Sequence, residues 1–342
     1  MASGVASDRE SRAFAEGARS VRRETTRLWT DYLLGRLAGL IGVVVVLVII
    51  TFLLVRLVPG DPARTIVGLS ATPEQVEVVR DRLGLNDPFL AQAWHYVSGL
   101  FTGDLGQSFV TQQPILEMIA QRLPLTASVA LGGLLVVLLI GFPIGIGVAM
   151  VEYRKRNRAV SGAYNSAVGV LGAMPEYITG TVLVIVFALT LQWFPVQGGQ
   201  GINGLILPAI AVGLAPAAAL SRIVRNETRT ILAKEYIATA RSKRISSLRL
   251  LLGHVLPNVA TSALTMGGIL LVALLGGTVI VENVFNLPGL GTQIVQSILA
   301  SDYPAIQGII LTLGILAALV NLAIDVVLGL LDPRVLTKGG AV

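Results

Sequence analysis

Few residues in this chain have the types and spacing that chemistry needs. His95 and His254 are its only histidines, and neither falls in a metal-ligand spacing such as HExxH, which argues against a zinc or di-metal enzyme. Neither stands beside a serine elbow, so an intramembrane hydrolase has no catalytic pair. Cysteine is absent, which excludes disulfides, thiolate metal sites and a cysteine nucleophile. No GxxxxGKS or GxxxxGKT phosphate loop occurs to cradle a nucleotide. Two features remain. Glu176 is the single charge in the apolar run 159–193. The stretch KEYIATARSKRISSLRLLLGHVLPN, residues 234–258, joins two apolar runs with far more organisation than a simple connection requires.

The elements that must position these residues are set by the solvent. Hydrophobic residues make up 54% and charged residues 13% of the 342, and mean hydropathy is +0.75, whereas soluble domains carry about 25% charged residues. About 20 apolar residues in a helix cross a hydrocarbon core of about 30 Å. Six runs meet that length: 37–55, 125–151, 159–193, 201–220, 255–281 and 305–324. Backbone groups in lipid must be satisfied within each segment, so these are helices. The expected fold class is therefore all-α, a polytopic membrane protein with six transmembrane helices. The first run is no cleaved signal peptide, because its polar lead exceeds 30 residues and VPGDP follows it.

Orientation follows from the basic residues. With a cytoplasmic amino terminus, the inside carries 21 of the 26 Lys and Arg residues, which predicts both termini inside. The net charge of +6 is thus spent on membrane orientation, and no basic stripe on a soluble face calls for nucleic acid. The expected organisation is a cytoplasmic N-terminal extension (1–35), a membrane domain (36–334) with an external segment (59–124) and a cytoplasmic loop (221–249), and a cytoplasmic tail (335–342).

The external segment reads as folded. Thr72, Pro73 and Gln75 form a capping box with proline at the first helical position. Val76, Val79 and Leu83 share a face, and Gly84 closes that helix. Asp87 and Pro88 open a second helix, where Leu90, Trp94, Val97 and Phe101 form a stripe suited to other protein or to the bilayer surface. Prolines 143, 175, 208, 216 and 257 lie in or at the ends of the spans, and GFPIGIG at 141–147 permits close helix approach. In 234–245, Tyr236, Ile237, Ala240 and Ile245 give an interrupted apolar face among basic residues, fit to enter a groove on a cytoplasmic protein or to rest on anionic lipid.

That stretch resembles the EAA loop of ABC importer permeases: E-A-A, three residues, G, nine residues, I-x-L-P. Ala238, Thr239 and Ala240 occupy the triplet, and Leu256 and Pro257 close the motif. Arg244 replaces the usual glycine and His254 the usual isoleucine. VPGDP (58–62), LGLNDP (83–88), GDLGQS (103–108), VFNLPGLG (284–291), DYP (302–304) and NLAIDVVLGLLDPR (321–334) resemble, in order, landmarks of the dipeptide and oligopeptide (peptide/nickel) permease family, first-permease type.

The resemblance implies a type I ABC importer permease fold and a subunit that moves di- or oligopeptides without itself being an enzyme. It implies a second, related permease, usually as a heterodimer, together with two cytoplasmic ATP-binding subunits that hold ATP and Mg, and an external substrate-binding protein. This chain would bind no cofactor or metal. Tyr236, Ala238, Thr239, Ala240, Arg241, Lys243 and Arg244, with Leu256 and Pro257, become the expected ATPase-coupling residues. Glu176, about midway along its run at a cost of about 2.5–3.5 kcal/mol, is expected either to line the translocation path or to make a helix–helix or interfacial contact if Pro175 breaks the run. Nickel or another small solute is the alternative cargo. An ion-coupled carrier is the rival class, but it would need inverted repeats that the sequence does not display.

Overall fold

The first described helix, α1 (Leu28–Leu54), contains a strongly apolar window, of which only 6% is buried within the chain. In the computed structural model residues 28–54, 62–68, 71–82, 84–155, 158–198 and 201–331 are described. The tail 335–342, almost all of the N-terminal extension and most of VPGDP therefore lie outside the described residues. After α1 come three short helices, α2 (Pro62–Val67), α3 (Pro73–Arg82) and α4 (Phe89–Thr102). The bundle follows: α5 (Ile115–Val136) continues through a π-helical turn at Val137–Gly141 into α6 (Phe142–Lys155). Next are α7 (Arg158–Ala173), α8 (Glu176–Leu183), α9 (Asn203–Leu232), α10 (Glu235–Ser242) and α11 (Ser247–Leu250). Then come α12 (Leu256–Val284), α13 (Leu290–Leu299) and α14 (Tyr303–Leu331). Among the described residues there is no strand, only an isolated bridge between Gln107 and Pro114.

Among the described residues five helices are long and apolar enough to span, and a bent pair, taken as one span, makes a sixth. That pair is the third expected run. It does not tilt as one rod: Ala159–Ala173 and Glu176–Thr190 meet at 100°. Met174 and Pro175 form the corner, because Pro175 lacks the N–H that would continue α7 and disfavours a helical residue before it. Glu176 is thus the first residue of α8 rather than a mid-span side chain.

α9 is the axis of the bundle, with 61% of its spanning window buried, and α5, α6, α7, α8 and α12 pack around it. Missing side chains let the neighbours close in. A Cβ on Gly141 would stand 2.6 Å from the Ala217 carbonyl oxygen, and one on Gly145 2.6 Å from that of Ser221. The GFPIGIG glycines thus bring α6 within backbone contact of α9. Val129, Val212, Leu220, Leu274 and Phe285 fill the shared core.

α1 is joined to this bundle at both ends. At one end Arg36 Nε lies 3.2 Å from Asp325 Oδ2, and Tyr32 donates to the Asp325 carbonyl at 3.0 Å. At the other, Gln307 Nε2 donates to the Thr51 carbonyl at 2.7 Å. There too the Thr51 hydroxyl meets Tyr96 of α4 at 3.0 Å, and the Phe52 ring contacts Phe89 and Tyr96. Burial raises the Tyr96 phenol above its ordinary range.

The helices expected between the first two spans are present. Thr72 N–H donates to Gln75 Oε1 at 3.0 Å and Gln75 N–H to Thr72 Oγ1 at 3.4 Å, the reciprocal bonds of a capping box. Gly84 closes the turn at φ +64. Val76 is buried, and Leu83 lies outside the described residues. On α4, Leu90, Trp94 and Phe101 are exposed by 78%, 71% and 89%, so no part of the described chain covers that stripe.

Candidate functional site

α9 runs without a break to Leu232, and the chain then turns sharply. Ala233 N–H bonds to Arg229 O and Lys234 N–H to Ile231 O, and α10 starts with Ile237 N–H bonded to Lys234 O. Ile237 is fully buried and Ala240 is 8% exposed, both within the central core, with Ile245 packed against it. This corrects the expected face. The apolar residues of α10 enter this chain's own core, not a partner's groove, and bulk at Ala240 would act on internal packing. The outward face carries Glu235, Tyr236, Ala238, Thr239, Ser242 and Lys243. Arg241 belongs to α10, and its side chain lies outside the described residues.

The turn after α10 has a defined geometry. Arg244 sits at φ +58, the left-handed region that glycine normally supplies. Ile245 N–H bonds back to Ala240 O at 3.3 Å, the six-to-one bond of a Schellman motif, and Ile245 and Ala240 are the apolar pair that accompanies it. The shape expected from a glycine is therefore kept with an arginine, at a backbone cost. Leu256 then packs partly into the core and Pro257 is exposed at the start of α12. Leu248 and Leu252 are exposed by 66% and 54%, extending the surface beside α10 with apolar area.

About two turns back along α9 from Leu232 lies a polar joint that the sequence did not announce. Arg225 of α9 and Glu152 of α6 form a two-pronged ion pair, with Nε to Oε2 at 3.1 Å and Nη2 to Oε1, and each side chain is 11% exposed. Ser161 of α7 donates to Glu152 at 2.6 Å, and Arg225 donates to Asn165 Oδ1 at 3.0 Å. The guanidinium also lies 4.8 Å from the Tyr164 ring centre. α6, α7 and α9 are thereby tied together just above α10.

Glu176 stands farther along the axis. Its carboxylate lies over Gly277 of α12, where a Cβ would be 2.8 Å from Oε1. It makes no hydrogen bond or ion pair with a described residue. The paired helix–helix contact expected as one alternative is not made with a described residue: the carboxylate approaches backbone without a polar partner.

At the far end of the bundle two more carboxylates hold turns. Glu282 is fully buried, and its Oε2 accepts from Gly291 N–H at 2.6 Å and Thr292 N–H at 3.2 Å, satisfying the first turn of α13. Leu290 N–H donates to Thr126 Oγ1 at 2.9 Å. Asp302, 2% exposed, accepts from the Ser108 hydroxyl and, at 2.9 Å, from Phe109 N–H. The landmarks GDLGQS and DYP are therefore two halves of one latch. No group of three or more potential metal ligands occurs among the described residues.

Residues 141–337 match the binding-protein-dependent transport system inner membrane component, and residues 29–130 match the N-terminal component of such transport-system membrane proteins. A Brucella melitensis protein that carries the name of a peptide transport system permease is 38% identical over 317 residues, 90% of this chain and 99% of that one. The glutathione transport system permease proteins of Salmonella typhimurium and Escherichia coli O6:H1 are 35% and 36% identical, with the same coverage. An inward-facing MetNI methionine ABC transporter chain superposes with a TM-score of 0.55 at 17% identity, covering 64% of this chain and 97% of that one, and so shares its fold.

Proposed function

The chain belongs to the family of binding-protein-dependent transport system inner membrane components, as a multi-pass protein of the inner membrane, and from that premise we propose that it forms half of the translocation path of an ATP-driven importer of short peptides. Relatives at 35–38% identity named for peptide and glutathione transport support the cargo class. The other half is a second permease, related but not identical. Two ATP-binding subunits, which hold the ATP and Mg, sit on the cytoplasmic side with both termini of this chain, and a substrate-binding protein delivers cargo from outside. This chain is the conduit and performs no catalysis.

The observation that carries this reading is the two-sidedness of α10. Its buried side, Ile237 and Ala240, is seated in the central core, while its other side is largely polar and uncovered. A partner that grips Tyr236, Ala238, Thr239 and Lys243 pushes on α10 as a handle. The Arg225–Glu152 joint passes the push to α6 and α7, and Arg244, Leu256 and Pro257 pass it to α12. Swinging the two-state equilibrium from 1:99 to 99:1 needs about 5.5 kcal/mol, which nucleotide hydrolysis supplies. Glu176, over Gly277 of α12, lies on an element the handle moves, where its charge faces the path.

The test is to purify the assembled complex carrying Tyr236→Ala or Thr239→Trp. The expected result is at least a tenfold loss of co-purifying ATPase with membrane abundance of the chain unchanged. Full ATPase recovery with peptide-stimulated hydrolysis in both variants would remove the handle from the proposal. Glu176→Gln is expected to change the peptide uptake profile.

A further inference from the structure

Opposite the α10 end, a cavity of about 660 Å³ opens between the first turns of α5, the segment before α9 and the turn joining α12 to α13. Its polar lining is of one kind. Arg122 supplies a cation, Gln197, Asn286 and Gln296 supply carboxamides, and no acid lines it. The walls are fixed: Gly198 N–H donates to the Phe285 carbonyl at 3.1 Å, and Asn286 is held at φ +50 in the turn.

One group in this lining has unused capacity. Arg122 makes no hydrogen bond or ion pair with a described residue. The charge that reaches it, Glu282, is fully buried, with Oε2 engaged by Gly291 and Thr292 N–H. Thr292 is 7% exposed, and its unpartnered hydroxyl is sealed off from the cavity, so it forms wall rather than donor. A cation beside three carboxamides is the donor set that a carboxylate followed by amide groups requires. A cavity of this size is within the range of small-molecule sites, about 300–1,000 Å³.

We infer that this cavity is a carboxylate site that takes the free C-terminal carboxylate of a short peptide at Arg122, with the carboxamides meeting the adjoining amide groups. The peptide identity of the ligand rests on the proposed function; the carboxylate preference rests on the lining alone.

The experiment uses the assembled transporter in proteoliposomes with trialanine and its C-terminal amide as probes. Modification of Arg122 by phenylglyoxal is followed by mass spectrometry. The free acid is expected to protect Arg122 in a saturable way and the amide not to. Equal protection by both, or by neither, overturns the site. Protection by the binding protein with no peptide present, and none by the peptide, also overturns it and assigns the cavity to a protein contact. Uptake then separates the two readings. Arg122→Gln is expected to raise the half-saturating concentration of the free acid about tenfold and leave the amide unchanged, with Arg122→Lys intermediate. Selective protection without uptake of either peptide would retain the carboxylate site and remove peptide transport.

Discussion

The two ends of the bundle place their charges to opposite effect. At the α10 end, the acid and the base of the joint are both side chains on long helices, and Arg225 and Glu152 each find several partners. At the far end, the acids hold turns: Glu282 and Asp302 satisfy backbone N–H groups, while Arg122 keeps no partner among the described residues. Saturated pairing between helices makes a stiff joint that carries displacement. Carboxylates that organise loops leave a cation over for a visitor.

The largest expected effect lies in the joint. Arg225→Gln leaves the Glu152 carboxylate with only the Ser161 hydroxyl and Arg229 at 3.9 Å, which costs about 3 kcal/mol, the lower end for a broken buried pair. Thermal unfolding of the solubilised chain should show the loss, and Glu152→Gln combined with it should cost less than the sum of the single changes. Additive losses would mean that the two ends do not differ in this way. Next is Asp302→Ala, which leaves the Ser108 hydroxyl and Phe109 N–H without an acceptor at about 1–3 kcal/mol. Limited proteolysis should then cut within 103–114 while the α10 end stays resistant, and equal cutting at both ends would erase the contrast.

A smaller effect of opposite sign is expected at Arg244→Gly, which relieves a left-handed residue and stabilises by about 1 kcal/mol, read as a raised unfolding temperature with ATPase binding kept. The smallest concerns pH. The Tyr96 phenol is raised by burial. Its contribution to holding α4 on α1 is therefore whole below the ordinary phenol value of about 10 and is lost as pH climbs through the higher folded value. Fluorescence of Trp94 on α4 should report an alkaline release that Tyr96→Phe abolishes.

What the sequence made legible was local. The spans follow from hydropathy, and the Thr72–Gln75 box from a spacing of three residues. Arg244 at a glycine position marked a turn whose left-handed geometry the structure contains. Pro175 marked a break, yet its 100° angle depends on what α8 packs against, with Gly180 lying on Val284 and Phe285. Periodicity said that Ile237 and Ala240 share a face, but not whose core that face enters. The joint and the latch were invisible because Glu152 and Arg225 stand 73 residues apart and Ser108 and Asp302 stand 194 apart. Pairing at such separations is decided by helix packing, which composition does not reveal.

The clasp between α1 and α14 bears on how the protein is made. Tyr32 and the Asp325 carbonyl it holds are separated by 293 residues, and Gln307 reaches Thr51 across 256. α1 therefore waits in the bilayer, with Arg36 lacking Asp325 as its counter-ion, until α14 has been made. The emergence of α14 is thus the step that fastens α1, and a chain halted before α14 would expose that delay as a loose α1.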